Sequence, residues 1–164
     1  SLLKSGQARV FSANKTLLRF SEAGELYAIA GTKAVTLCYK DLNMTPTKGM
    51  VSYGDRVAFL LKGNAYTLVT PIKIDKIVIV HLNNWTPRCD LIARGSAVHR
   101  LYPYFWDAVN ANTIIGDSCQ VFEGRSPSGA AQSLVKSLLH MEETINVYHV
   151  SGSLEYVTKQ LMEL

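Results

Sequence analysis

Short apolar runs separated by turn formers fill the first half of the chain. They predict strands at Ala8–Ser12, Thr16–Phe20, Leu26–Ala30, Ala34–Tyr39, Arg56–Leu61, Ala65–Thr70 and Ile72–Leu82. Each is rich in Val, Leu, Phe, Tyr or Thr and is bounded by Gly, Asn or Lys, the composition that a pleated, half-buried surface selects. Glu22–Glu25 and Lys62-Gly63-Asn64 read as turns between neighbouring runs, and Asp41–Gly49, with its proline, reads as a loop. Within Ile72–Leu82 the pattern changes. Ile72 and Ile74 alternate with Lys73 and Asp75, and Ile77–Val80 is then continuously apolar. A strand that begins half-exposed and ends buried on both faces has this pattern.

The second half changes period. Val98, Leu101, Tyr102, Phe105, Trp106 and Val109 recur at spacings of three and four, which predicts a helix over Ala97–Ala111 with Ser96 as its cap. Pro103 falls inside that helix, so a later start or a kink is expected. Thr113–Ile115 and Cys119–Phe122 are short apolar runs. Gly129–Met141 is the clearest helix, Thr144–Val150 a strand, and Ser153–Leu164 a closing helix. The segment His81–Arg100 reads as a long connection. The expected fold class is α/β, or α+β overall. Residues 1–80 form a basic, β-rich, small barrel-like domain, and residues 81–164 a small three-layer α/β domain.

Charge follows the same division. Residues 1–80 carry eleven Lys and Arg against five Asp and Glu; residues 81–164 carry six against eight. A positive surplus confined to one half suggests a face that binds polyanions, although a solvated lysine surface has the same composition. The three cysteines, Cys38, Cys89 and Cys119, are widely spaced and make no disulfide framework. The four histidines show no metal-ligand spacing, so neither a metal nor a cofactor is expected. No apolar run approaches the roughly 20 residues that a membrane helix needs, and no signal peptide is visible at Ser1–Gly6, which predicts a cytoplasmic protein.

Tyr53-Gly54-Asp55-Arg56-Val57, followed by Phe59, Lys62 and Gly63, resembles the opening of the small SH3-like barrels of the KOW and Tudor kind. The resemblance covers roughly residues 50–80. It implies a barrel that contacts RNA, DNA or protein tails through basic loop residues. Lys48, Arg56, Lys62, Lys73 and Lys76 are the candidates here, binding phosphates largely through counterion release. The leading expectation is thus a non-enzymatic nucleic-acid-binding protein, DNA before RNA, of weak sequence specificity, with a transcription or nucleoid regulator as one form it could take. A protein partner stays open.

The alternative is a small α/β enzyme or sensor that binds a nucleotide or other phosphate compound. Its centre is Glu123–Gly129, EGRSPSG, placed between a predicted strand and a predicted helix. A helix start offers free N–H donors and a partial positive charge to an anion. The candidate residues are Arg125, Ser126, Ser128 and Gly129, joined by His149 and Ser151 if the strand before EGRSPSG lies parallel to and beside Thr144–Val150. Neither nucleotide-binding fingerprint is met, and capping alone accounts for the same residues. No catalytic residue is assigned: Cys119 has apolar neighbours, and Asp117 and Glu123 fall at opposite ends of a run. Trp85 lies among Asn83, Asn84, Arg88 and Arg94, a setting for base stacking and phosphate contact. The bland expectation for Trp85 is burial as a plug between the two halves.

Overall fold

The computed structural model describes residues 10–12, 16–38, 50–60, 71–114 and 127–164. The fold is mixed α+β. Its nine strands among these residues fall in three open, three-stranded sheets. The first comprises β1 (Thr16–Phe20), β2 (Leu26–Gly31) and β6 (Ile72–Ile74), with β2 central. The second comprises β3 (Ala34–Cys38), β4 (Val51–Tyr53) and β5 (Arg56–Leu60), with β5 central. The third comprises β7 (Lys76–Leu82), β8 (Arg88–Leu91) and β9 (Asn146–Gly152), with β9 central. Three helices complete the described fold: α1 (Ser96–Ile114), α2 (Pro127–Met141) and α3 (Leu154–Glu163). None of them is long and apolar enough to cross a membrane.

The chain divides into two compact units. One holds Ser1–Arg19 and Tyr27–Ile72, the other Phe20–Leu26 and Lys73–Leu164. In the first unit, β5 pairs antiparallel with both neighbours, Val57 facing Leu37 on one side and Ser52 on the other. Val57 is the buried residue of this sheet, only 1% exposed. The β4–β5 hairpin turns on Gly54 and Asp55, with Tyr53 opposite Arg56. Gly54 has φ 58°, the positive value that tight hairpins require at their first central residue. In the same unit the Thr32 amide donates to Ser12 Oγ at 3.2 Å, and the Arg19 guanidinium lies 5.9 Å from the Tyr27 ring centre.

The second unit contains the parallel pair. β7 and β9 run side by side, Lys76 opposite Asn146 through to Leu82 opposite Gly152. β8 adds to the other side of β9 in the antiparallel sense. Buried Val147 and Val150 point to opposite faces of the central strand, as a two-sided core demands. The core around them is built from Leu101, Leu138, Met141, Ile145 and Val157. α3 packs on β9 and β7, starting at Ser153, whose Oγ accepts from the Tyr156 amide at 3.2 Å.

Two long-range ties hold this unit. The turn Ser21–Glu25 is closed by the Ser21 amide donating to the Glu25 carbonyl at 2.8 Å. Its Gly24 carbonyl accepts from Thr144 Oγ1 at 2.9 Å. Gly24 has φ 78°, and a Cβ there would lie 2.7 Å from the His140 carbonyl oxygen, so only glycine fits. Phe20 reaches Phe105 of α1 at 5.9 Å between ring centres, and Leu26 is 1% exposed. The second tie is Glu142, a buried carboxylate just after α2. Its two oxygens accept from the amides of Gly95 at 2.8 Å and Val98 at 2.7 Å. The start of α1 is therefore capped from 44 residues away. Charge-assisted bonds satisfy amides that a helix start leaves unpaired.

Several expectations change, the barrel-like first half among them: its described strands β1–β6 lie in two open three-stranded sheets rather than a barrel. Ile72–Leu82 is broken at Asp75 into β6 and β7. His81–Arg100 is not one connection: it contains the end of β7, all of β8 and the first turn of α1. Pro103 lies inside α1, which starts at Ser96 and continues to Ile114. Pro103 has no N–H for the His99 carbonyl, and the helix continues past it without that bond. Thr113 and Ile114, read as part of a short apolar run, belong to the end of α1. Val51–Tyr53 is a strand that the pattern did not predict, and Ala8–Ser12 gives no strand at its described residues, 10–12. Ala65–Thr70, the Lys62-Gly63-Asn64 turn and Cys119–Phe122 lie outside the described residues.

Glu142→Ala removes the acceptor of the Gly95 and Val98 amides at the start of α1, and the expected loss is about 2 kcal/mol of folding stability. Urea unfolding followed by circular dichroism measures it. An unchanged midpoint would show that the cap contributes nothing.

Candidate functional site

The parallel ladder decides which side chains meet. In a parallel pair, residues in register point to the same face of the sheet. Ile77 with Val147, Ile79 with His149 and His81 with Ser151 therefore share one face. β8 extends that face with Arg88 opposite Ser151 and Asp90 opposite His149. The apolar pairs come first along β7 and β9, and the polar residues gather at their carboxyl ends. This end of a parallel strand pair is where open α/β sheets place their ligands.

A cleft of about 410 Å³ opens there. His81, His149, Ser151 and Arg88 line it from the strands; Asn83, Trp85 and Thr86 line it from the β7–β8 connection. That connection is held by backbone and side-chain bonds. The Asn83 amide donates to the Gly152 carbonyl at 2.9 Å, and the Trp85 amide donates to Asn83 Oδ1 at 3.0 Å. An Asn side chain bonding the amide two residues on stabilises a tight turn. Trp85 stands out from this turn with 83% of its surface exposed. Gly152 has φ 143°, and a Cβ there would lie 3.0 Å from the Tyr156 ring and 3.4 Å from Pro87. The connection, β9 and α3 therefore close on a position that only glycine fills without strain.

The two histidines touch. His149 Nε2 and His81 Nδ1 are 3.4 Å apart, with the rings nearly perpendicular and 5.0 Å between centres. His149 titrates below the ordinary imidazole range. Desolvation by its neighbours is the first cause, followed by repulsion from His81 and Arg100; Asp90 opposes the shift and Arg88 adds to it. The cleft is therefore a place where positive groups have been gathered and one imidazole is protonated less readily than usual. Among the described residues no group of three or more His, Cys, Asp or Glu is placed to hold a metal ion.

The residues nominated from sequence are scattered. His149 and Ser151 do line one cleft, but their partners there are His81 and Arg88, and the strand beside β9 is β7. Ser151 belongs to β9 itself and is buried, rather than lying in a loop after it. Arg125 and Ser126 lie outside the described residues, as do Lys48 and Lys62. Ser128 and Gly129 fall in the first turn of α2. Lys73 is paired with Glu25 Oε1 at 2.7 Å. Lys76 opens β7, at the end of the strand away from His81 and about 17 Å along it at ~3.3 Å per residue. Arg56 is exposed on β5 of the other unit. Trp85 is not a plug: it is the most exposed of the large apolar side chains described.

Sequence reasoning missed His81 as a site residue, and it placed Arg88 beside Trp85 without joining either to His149 and Ser151. The alternation Ile77, Ile79, His81 was there to be read, but not the strand that pairs with it. No family model, curated protein or solved structure matches the chain.

A proton NMR titration is expected to place the His149 midpoint below the ordinary imidazole value of about 6.5. His81→Gln removes one repelling charge and moves that midpoint up; no movement would mean that the contact carries no electrostatic coupling. Gly152→Ala forces a side chain into the positive-φ position, and thermal unfolding should register a loss of ~1–3 kcal/mol.

Proposed function

We propose that this protein binds single-stranded nucleic acid, with the cleft at the carboxyl ends of β7 and β9 as its contact site. One observation carries the reading. An indole that is 83% exposed stands beside a cleft lined by a guanidinium and two imidazoles. Exposing so large an apolar ring costs free energy unless something covers it, and a base is a suitable cover because every base presents a π-face. Arg88 supplies a charge for a neighbouring phosphate oxygen, and Asn83 and Thr86 supply side chains able to bond a sugar or base edge. Stacking and phosphate contact together give binding that tolerates sequence, consistent with the weak specificity expected from the positive surplus of the chain.

The basic residues of the first half are secondary in this reading. Lys73 is engaged by Glu25, and Lys76 lies at the far end of β7. Arg56 follows the Gly54–Asp55 turn that resembles a KOW or Tudor opening, and would contribute as an independent, salt-sensitive phosphate contact.

Trp85→Ala should weaken binding of a labelled single strand by about 1–3 kcal/mol, roughly 5- to 150-fold, in an anisotropy titration. Arg88→Gln should weaken it and lower the slope of log affinity against log salt by about one contact. Parallel titrations with DNA and RNA of one sequence identify the polymer. Wild-type affinity in the Trp85 variant would remove the cleft from the reading, and the Arg56→Ala variant then tests the first half.

A further inference from the structure

We infer that the cleft takes a phosphate monoester, the phosphorylated end of a strand, and that the His81–His149 pair takes up a proton as it binds. This rests on the nucleic-acid reading above and adds the chemical group recognised. The contact geometry supplies the first reason. With both rings neutral, the pair carries two N–H groups, and the contact at 3.4 Å occupies one of them with the lone pair of the other ring. One N–H is left to point outward. One more proton makes three N–H groups, so two point outward and the pair carries a full positive charge. A phosphate with several acceptor oxygens gains both a second donor and a charge from that proton.

The surrounding groups supply the second reason. His149 is faced by His81 from β7, by Arg88 and Asp90 from β8, and by Arg100 from α1. Two guanidiniums against one carboxylate disfavour the extra proton while the cleft is empty. An internal phosphodiester brings one negative charge. A monoester brings close to two above its second pKa of about 6, enough to offset both guanidiniums. The anion thus offsets the repulsion that adds to desolvation in disfavouring the proton on His149. The cleft volume of about 410 Å³ lies within the range of sites that enclose one small ligand. One terminal nucleotide, with its base on Trp85 and its phosphate toward the histidines, is a unit of that scale.

The sign of the pH dependence follows. Below neutrality the pair gains its proton more easily, and affinity rises. Below about pH 6 the monoester loses its second charge and the gain stops, so affinity for a phosphorylated end peaks near that value.

The test uses the full chain and labelled oligonucleotides of one sequence ending in a 5′-hydroxyl, a 5′-phosphate or a 3′-phosphate. Anisotropy is read at about pH 6 and about pH 8, with a nucleoside monophosphate as competitor. One phosphorylated end is expected to bind about tenfold tighter than the hydroxyl end at the lower pH, a difference of about 1.4 kcal/mol. The preference should shrink at the higher pH and vanish in His149→Gln and in His81→Gln. Calorimetry in two buffers of different ionisation heat should show proton uptake on binding the phosphorylated strand. Equal binding of all three ends at the lower pH would overturn the inference while leaving the nucleic-acid reading intact. No binding of any strand would overturn both. If the free monophosphate matched the phosphorylated strand in affinity, the monoester site would stand and the strand would fall as its occupant.

Discussion

Seven paired residues, Lys76–Leu82 against Asn146–Gly152, set the geometry of the α/β unit. Parallel strands cannot be joined by a short turn, and the chain between these two supplies β8, α1 and α2. Their register also sorts the side chains. A slip of one residue would send His149 and Ser151 to the face now held by Val150, and put Val150 into the cleft. Val147 and Val150, each nearly inaccessible on its own face, resist that slip, because it would exchange buried apolar groups for polar ones. The core thus fixes the site through the spacing of a single strand.

Charge count and charge placement tell different stories here. The surplus of positive residues lies in residues 1–80, yet the described cleft with gathered positive groups belongs to the unit with the more acidic sequence. A net charge averages over faces, and an ion pair such as Lys73–Glu25 removes a candidate without altering the total. Exposed cations far apart act nearly independently beyond a Debye length of ~8 Å. Three or four groups converging on one small volume create a local potential that composition does not report.

Much of the architecture was legible. The periods of two and of three to four residues located β1, β2, β3, β5, β7, β9 and the three helices, because their apolar residues recur at the spacing of a strand or a helix. β8 was not legible. Arg88-Cys89-Asp90-Leu91 carries two charges in four residues, and only pairing with β9 makes it a strand. The cap of α1 was assigned to Ser96 by local rules, whereas Glu142 supplies the acceptors, and nothing in the local sequence marks a partner 44 residues away. His149, Ser151 and Trp85 were singled out separately. What brings the first two together with His81 and Arg88 is strand order, and adjacency between distant segments leaves no trace in a single sequence.

The turn at Ser21–Glu25 belongs to the α/β unit together with Leu26, but the rest of the strand that follows, from Tyr27, belongs to the other. Its partner Thr144 is 120 positions further along the chain. At ~5–20 residues per second of synthesis, the turn waits roughly 6–24 seconds for the segment that receives it. During that interval Leu26 lacks the unit in which it is finally enclosed. Assembly of this unit therefore waits for α2 and β9, and its earliest segment stays exposed to chaperones and proteases in the meantime.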